Sequence, residues 1–336
     1  MKFKLSVLDQ SPVREGGTTT QALRETVELA RHVEKREYTR FWVSEHHSTS
    51  SLAGSSPEVL LAAIGSATEH IRIGSGGVML PHYSPHKVAE NFAVLSSLFP
   101  DRVDLGVGRA PGGQIEITQA LSPYGGTDYR QFPQQVVDLI RAFHARDYAP
   151  QITPQVKISP EVWMLGSSPE SAVLAAELGL PYSFALFINS DMSPTIFEIY
   201  RDQFDKKWGG KKAADSLPQR KPYTCLAVNV ICADTEEEAK YLARSREVLF
   251  LKFLQQQKNL GVPSPDEAEK YQYSAQELQF VNSRRAMSAI GSPEQVRDKL
   301  NQLALSFGAD EIMAVTITYD FSDRLKSYDL LMDAMV

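Results

Sequence analysis

The sequence predicts an α/β fold, a single (β/α)8 TIM barrel over residues 1–336 with insertions at its carboxyl-terminal face. Short runs rich in β-branched and aromatic residues alternate with longer amphipathic stretches, and eight such strands are legible. Pro stands directly after Ser at the head of four amphipathic stretches, at Pro57, Pro85, Pro169 and Pro293, as suits a first helical turn. The first strand runs out into Asp9-Gln10-Ser11-Pro12 rather than into a Gly-rich phosphate loop, which disfavours a doubly wound open sheet.

Taken in order, Lys4 to Leu8 alternates as a strand and Thr20 to Arg36 follows as an amphipathic helix. Phe41 to Val43 and Ile71 to Gly74 are apolar runs of buried-strand type, followed by helices Pro57 to Thr68 and Pro85 to Leu98. Val103 to Val107 and Val162 to Leu165 repeat the pattern, with helices Phe132 to Phe143 and Pro169 to Leu178. Ser183 to Phe187 and Thr224 to Cys232 precede the helices Ser193 to Lys207 and Glu236 to Gln256. Helix Pro293 to Phe307, strand Glu311 to Thr318 and helix Asp323 to Met335 complete the chain. Two segments break this rhythm. Residues 112–131 are rich in Gly, Thr, Ser and Tyr, and 258–285 are polar, with Tyr271 and Tyr273. Long irregular connections are functional loops or surface excursions, and the second is the candidate lid over the barrel mouth.

The hydrophobic share of 43% is that of a globular protein with a large core. A net charge of −6 and a pI near 5.7 argue against general affinity for nucleic acid or an anionic membrane. No apolar run reaches the roughly 20 residues of a membrane span. The amino terminus meets Asp9 before any signal-like core forms, so a soluble, cytoplasmic protein is expected. Cys225 and Cys232 share one strand at an odd separation, which points them to opposite faces. A disulfide is not expected, and two cysteines match no zinc or iron-sulfur spacing.

Three consecutive strand ends carry distinctive chemistry, and in a barrel the carboxyl ends of strands surround the site. Glu45-His46-His47 offers a general acid/base or a hydrogen-bonding group near neutral pH. Adjacent histidines on an extended segment diverge, and His82 and His86 are separated by Pro85, so no metal site is completed. Structural hydrogen bonds account for the pair equally well. Gly76-Gly77 permits close backbone approach by a flat ligand, or merely a tight strand exit. Arg109 leaves an apolar strand and needs an anionic partner, from a ligand or from the protein itself. Gly166-Ser167-Ser168-Pro169-Glu170-Ser171 reads as a strand, a small-residue turn and a helix start, where free amides and hydroxyls can receive a phosphate. Beside an Arg and a Gly pair, this suits a phosphorylated planar cofactor better than a metal.

The order of these motifs resembles the bacterial luciferase family of flavin-dependent monooxygenases, in its α-chain-like branch. The resemblance is carried by Glu45 to His47, Gly74 to Pro81, Asp104 to Arg109, Met164 to Ser171, Gly179 to Tyr182 and Gly291 to Glu294. It implies an FMN-binding barrel, commonly a homodimer, in which Arg109, Ser167, Ser168 and Ser171 with Gly166 hold the phosphate. Gly76-Gly77 would match the family's non-proline cis peptide beside the flavin ring, with Pro111 nearby. His46 matches the histidine implicated in luciferase catalysis, and His47 is its expected support. The implied activity is oxygenation of a small organic substrate by O2 and reduced FMN, which a separate NAD(P)H:flavin reductase supplies. Gly108 stands where luciferase α chains carry a reactive Cys, so bioluminescence is not expected. The alternatives are a deazaflavin (F420)-dependent reductase of the same superfamily and a non-catalytic flavin-binding protein.

Overall fold

The computed structural model describes residues 3–109, 115–122, 127–209, 221–257 and 260–336. Eight parallel strands close a ring: β1 (Lys4–Asp9), β2 (Arg40–Val43), β3 (Arg72–Met79), β4 (Val103–Gly108), β5 (Glu161–Gly166), β6 (Tyr182–Ala185), β7 (Thr224–Cys232) and β9 (Glu311–Val315). Closure is made by β1 beside β9, with Leu5 opposite Ile312, and by β7 between β6 and β9. The expected TIM barrel is therefore present.

A short additional strand, β8 (Ala289–Gly291), pairs only with Val230 to Cys232 of β7 and lies outside the ring. Its three residues are too few for a period-two pattern to register in the sequence. The helices are α1 (Thr19–Lys35), α2 (Pro57–Ala67), α3 (Pro85–Leu98), α4 (Ile115–Leu121), α5 (Phe132–His144), α6 (Pro169–Leu178), α7 (Thr195–Trp208), α8 (Glu236–Leu254), α9 (Pro265–Glu269), α10 (Ala275–Ala286), α11 (Pro293–Phe307) and α12 (Phe321–Met335). Pro57, Pro85, Pro169 and Pro293 each occupy the first turn of a helix.

The irregular segments contain more structure than expected. Within 112–131 lie α4 and a 3-10 turn at Tyr129–Gln131. The candidate lid, whose first residue Lys258 is outside the described residues, contains α9 and α10. Ser274 and Glu277 form a reciprocal capping box at the start of α10, which stabilises a helix whose apolar face is too thin to announce it. Val281 is the one buried residue of α10.

Side-chain alternation divides the core. Cys225 and Ala227 of β7 join Leu8, Trp42, Trp163, Met313 and Val315 inside the barrel, whereas Leu226, Val228, Val230 and Cys232 face the helical layer. The two cysteines are buried on opposite faces of β7, and burial raises both thiols, that of Cys232 to about 12. Neither is a nucleophile near neutral pH.

The amino-terminal end of the barrel is sealed by charge. Arg40 donates to Asp104 at 2.8 Å and Glu311 at 2.9 Å, while Arg72 Nε and Trp42 Nε1 reach Asp104 at 3.0 and 2.9 Å. The Arg40 guanidinium also lies 4.6 Å over the Trp163 ring. These bonds join four different strands across the barrel floor. Stability is thereby concentrated at the amino-terminal face, and the carboxyl-terminal face is left for loops. No helix among the described residues is long and apolar enough to cross a membrane.

Candidate functional site

Parallel register brings the distinctive strand ends to one face. Val43 of β2 stands opposite Ser75 of β3, Gly76 opposite Gly106 of β4, and Val107 opposite Met164 of β5. The residues just beyond them, Ser44 to His47, Gly76-Gly77, Arg109 and Gly166 to Ser168, therefore occupy adjacent sectors of the barrel mouth.

In the β2 sector, Glu45 is buried, and its carboxylate accepts three hydrogen bonds. His47 Nε2 is 2.7 Å from Oε1, the Tyr83 hydroxyl donates to Oε1 at 2.6 Å, and the Met79 amide donates to Oε2 at 3.0 Å. The carboxylate thus fastens the β2 exit to the β3 exit. Burial, followed by the Glu45 hydrogen bond and charge, holds the Tyr83 phenol far above its ordinary range. Neither Glu45 nor Tyr83 is among the site residues expected from sequence; the signal available was an acid directly before a His pair.

His46 differs from its neighbour. Its backbone amide is fixed to the Gly54 carbonyl at 2.8 Å, and its Nδ1 is 3.0 Å from the Ser44 hydroxyl. Burial, and after it the neighbouring His47, lowers its pKa to about 4. At neutral pH the ring is uncharged, so it is a weak base. With Ser44 donating to Nδ1, the tautomer carries its proton on Nε2 as a hydrogen-bond donor. Nε2 has no hydrogen-bond partner among the described residues. An unprotonated imidazole is open both to hydrogen bonding and to weak general-base chemistry.

In the β3 sector, the Gly76–Gly77 peptide bond is cis. Both glycines are partly exposed within an otherwise buried stretch. A Cβ on Gly76 would lie 2.7 Å from Leu8 Cδ1, and one on Gly77 would overlap Leu165 and come within 2.7 Å of the Gly106 carbonyl oxygen. The Gly106 backbone thus excludes a larger residue at Gly77, while at Gly76 the flexible end of Leu8 would have to shift. At Gly108 a Cβ would meet nothing within 4 Å.

The β4 and β5 sectors meet at the start of α6. Its cap residue Ser168 makes no side-chain capping bond, and Pro169 supplies no amide. Glu170, in the first turn of α6, is exposed at this helix start. It accepts from the Ser168 hydroxyl and from its own amide, and these two bonds, with the charge of Arg109, lower its pKa. A carboxylate held by a helix start and an arginine occupies a position suited to an anion. Ser171 donates to the Ser168 carbonyl at 2.6 Å and lies 3.0 Å from the Tyr182 hydroxyl, and Asn189 donates to the Ser167 carbonyl at 2.8 Å. Ser171 is therefore engaged in shaping the turn. Gly166 permits that shape, because a Cβ there would overlap Ser171. Pro111 lies outside the described residues.

His82 and His86 diverge, His82 Nδ1 toward Thr127 at 3.1 Å and His86 Nδ1 toward Tyr148 at 3.3 Å. The described mouth thus carries the start of α6 with Glu170 at one edge, the glycine pair in the middle and His46 beyond it.

Residues 1–311 match the model of the luciferase-like monooxygenase family. The chain is 45% identical over 336 residues to the uncharacterized protein YwcH of Bacillus subtilis (strain 168), covering 98% of each. It is 37% identical over 342 residues to the N-acetyl-S-alkylcysteine monooxygenase of the same organism, covering 99% of this chain and 98% of the relative. The crystal structure of apo-MsnO8 superposes with a TM-score of 0.88 at 36% identity, covering 99% and 98% of the two chains. With the family model matched over nearly its whole length and relatives above 30% identity at full coverage, the chain belongs to the luciferase-like monooxygenase family.

Proposed function

We propose that this enzyme binds reduced FMN at the carboxyl-terminal mouth of its barrel and uses O2 to oxygenate a small organic substrate, the flavin being reduced by a separate NAD(P)H:flavin reductase. The observation that carries the proposal is the anion position at α6. The exposed carboxylate of Glu170 stands at this helix start, its pKa lowered first by the Ser168 hydroxyl and least by the charge of Arg109, one sector from the bare Gly76-Gly77 backbone. A ribityl phosphate would replace that carboxylate, with Arg109 and the hydroxyls of Ser167 and Ser168 around it and Gly166 and Ser171 shaping the turn.

Reduced flavin supplies the electrons that activate O2. The protein's residues bind, orient and exclude water. The glycine pair lets the ring rest on main chain, and neutral His46 offers Nε2–H as a donor without introducing a charge. His47 is held by Glu45 and keeps its neighbour's segment in place. The 258–285 segment is the lid of this proposal. Arg284 ties α10 to the Ile188 carbonyl beyond β6 at 3.2 Å, and Leu260 accepts from Ser50 at 2.7 Å beside the β2 loop. Water exclusion matters because reduced-flavin oxygen chemistry in an open site is lost as peroxide. The relative named for N-acetyl-S-alkylcysteine makes thioethers the first substrate class to assay.

The test is a titration with reduced FMN, reduced riboflavin and a reduced deazaflavin under argon, followed by admission of oxygen. FMN is expected to bind tightest, and oxidised-flavin absorbance to return more slowly than in free solution. Preference for the deazaflavin, or reoxidation at the free-solution rate, refutes the proposal.

A further inference from the structure

Gln10 stands at the exit of β1 with a carboxamide that the fold leaves unpaired. On either side of it, Asp9 and Ser11 turn outward to the helical layer, where the Thr26 hydroxyl of α1 donates to the Asp9 carboxylate at 2.6 Å and lies 2.9 Å from the Ser11 hydroxyl. Arg324 of α12 donates to the same carboxylate at 3.1 Å. Gln10 therefore faces inward, as Leu8 does two residues earlier among the side chains that fill the barrel. A Cβ on Gly76 would lie 2.7 Å from Leu8 Cδ1, so Leu8 packs beneath the glycine pair. Gln10 is one layer nearer the mouth.

Gln10 is 9% exposed, yet its carboxamide makes no hydrogen bond to a described residue, and neither its oxygen nor its nitrogen is sealed from solvent. A side chain this enclosed ordinarily pairs its polar atoms within the protein. An open amide here is available to a ligand. The β1–β2 register, with Leu8 opposite Trp42 and Asp9 opposite Val43, continues in the Ser44 amide, which donates to the Asp9 carbonyl at 3.2 Å. Gln10 is thereby set beside Ser44, whose hydroxyl is 3.0 Å from His46 Nδ1. The carboxamide and the imidazole flank one serine, in the two sectors that precede the glycine pair around the ring.

The carboxylates nearby are committed, Asp9 outward to Arg324 and Glu45 to His47, Tyr83 and the Met79 amide. What remains at this edge is uncharged. Gln10 offers an N–H donor and a carbonyl acceptor, and neutral His46 offers a second donor at Nε2. Their complement is a planar group with an acceptor, a donor and an acceptor in a row. That is the edge of an imide, and a simple amide supplies two of the three.

We propose that Gln10 and His46 together bind the imide or amide edge of a neutral ligand, the Gln10 carbonyl accepting its N–H while the Gln10 amide and His46 Nε2 donate to its carbonyl oxygens. Two molecules carry that chemistry, the pyrimidine ring of a flavin and an organic substrate with an acylated nitrogen. Assignment to the flavin rests on the FMN reading above; recognition of the edge by Gln10 does not.

The probes are FMN against 3-methyl-FMN, which lacks the ring N–H, and N-benzylacetamide against benzyl acetate, which lacks the amide N–H. All are titrated into the full chain, the second pair with and without FMN. At least tenfold tighter binding of the N–H member is expected in the flavin pair if the ring is the ligand, and in the amide pair if the substrate is. Gln10→Leu and Gln10→Met should both abolish that preference while keeping the wild-type ratio of FMN to riboflavin affinity. Because neither variant removes a hydrogen bond to a described residue, neither should lower the urea midpoint. Equal binding within both pairs, or a preference that survives in both variants, overturns the proposal. So does a fall in urea midpoint in both variants, which would make Gln10 a structural residue. If the amide preference and its loss in the variants hold while FMN fails to bind, the Gln10 site stands and the FMN reading falls. If FMN binds and neither pair shows a preference, the FMN reading stands and the Gln10 site falls.

Discussion

Oε1 of Glu45 lies 2.7 Å from Nε2 of His47, and this contact separates the roles of two adjacent histidines. His47 is spent on a buried carboxylate that also holds Tyr83 and the Met79 amide. His46 instead has its Nδ1 3.0 Å from the Ser44 hydroxyl, and its Nε2 has no hydrogen-bond partner among the described residues.

Replacing Glu45 with Gln preserves its volume but removes the charge that attracts three donors. The loss of stability is expected to be about 1–3 kcal/mol, the range for leaving buried polar groups poorly paired. Urea unfolding measures it; an unchanged midpoint would contradict the fastening role.

The lowered pKa of His46 makes stability pH-dependent in a defined direction. Between the ordinary histidine pKa near 6.5 and the folded value of about 4, the unfolded chain binds more protons than the folded one. The contribution is therefore fully present above pH 6.5 and is lost as pH falls toward 4. His46→Asn should flatten this part of the stability profile, measured by urea melts at pH 7 and pH 5. A profile identical to wild type would show that another group dominates.

Arg109→Ala is expected to weaken FMN far more than riboflavin, since only the former carries the phosphate. Glu170→Gln should do the opposite, tightening FMN several-fold by removing an internal competitor while leaving riboflavin unaffected. Paired fluorescence titrations decide; equal effects on both flavins in either variant would detach this corner from phosphate binding.

The glycines differ in what they tolerate. Gly77→Ala forces a methyl onto Leu165 and the Gly106 carbonyl and should cost about 1–3 kcal/mol, as overpacking does. Gly108→Ala meets open space and should stay within about 0.5 kcal/mol of wild type. Comparable losses in the two variants would refute the packing explanation.

The ring of strands was legible because buried parallel strands are short apolar runs and Ser-Pro marks helix starts. The elements it hid have weak patterns: β8 is three residues long, and α10 buries only Val281. At the site, residues at strand ends were legible from position alone, whereas Tyr83 was not, because its partner is 38 residues away in sequence.

Sequence by itself determined the alternation that closes the barrel, the seating of His46, Gly76-Gly77, Arg109 and Ser167-Ser168 at strand ends, and the family resemblance. Those properties follow from local periodicity and motif order, which tertiary contacts do not alter. Only the tertiary structure decided which histidine is paired with Glu45, that burial lowers the pKa of His46, and that the start of α6 with Glu170 stands near Arg109. Each depends on burial and on distances between groups remote along the chain, and electrostatic energies are set by those quantities rather than by residue type.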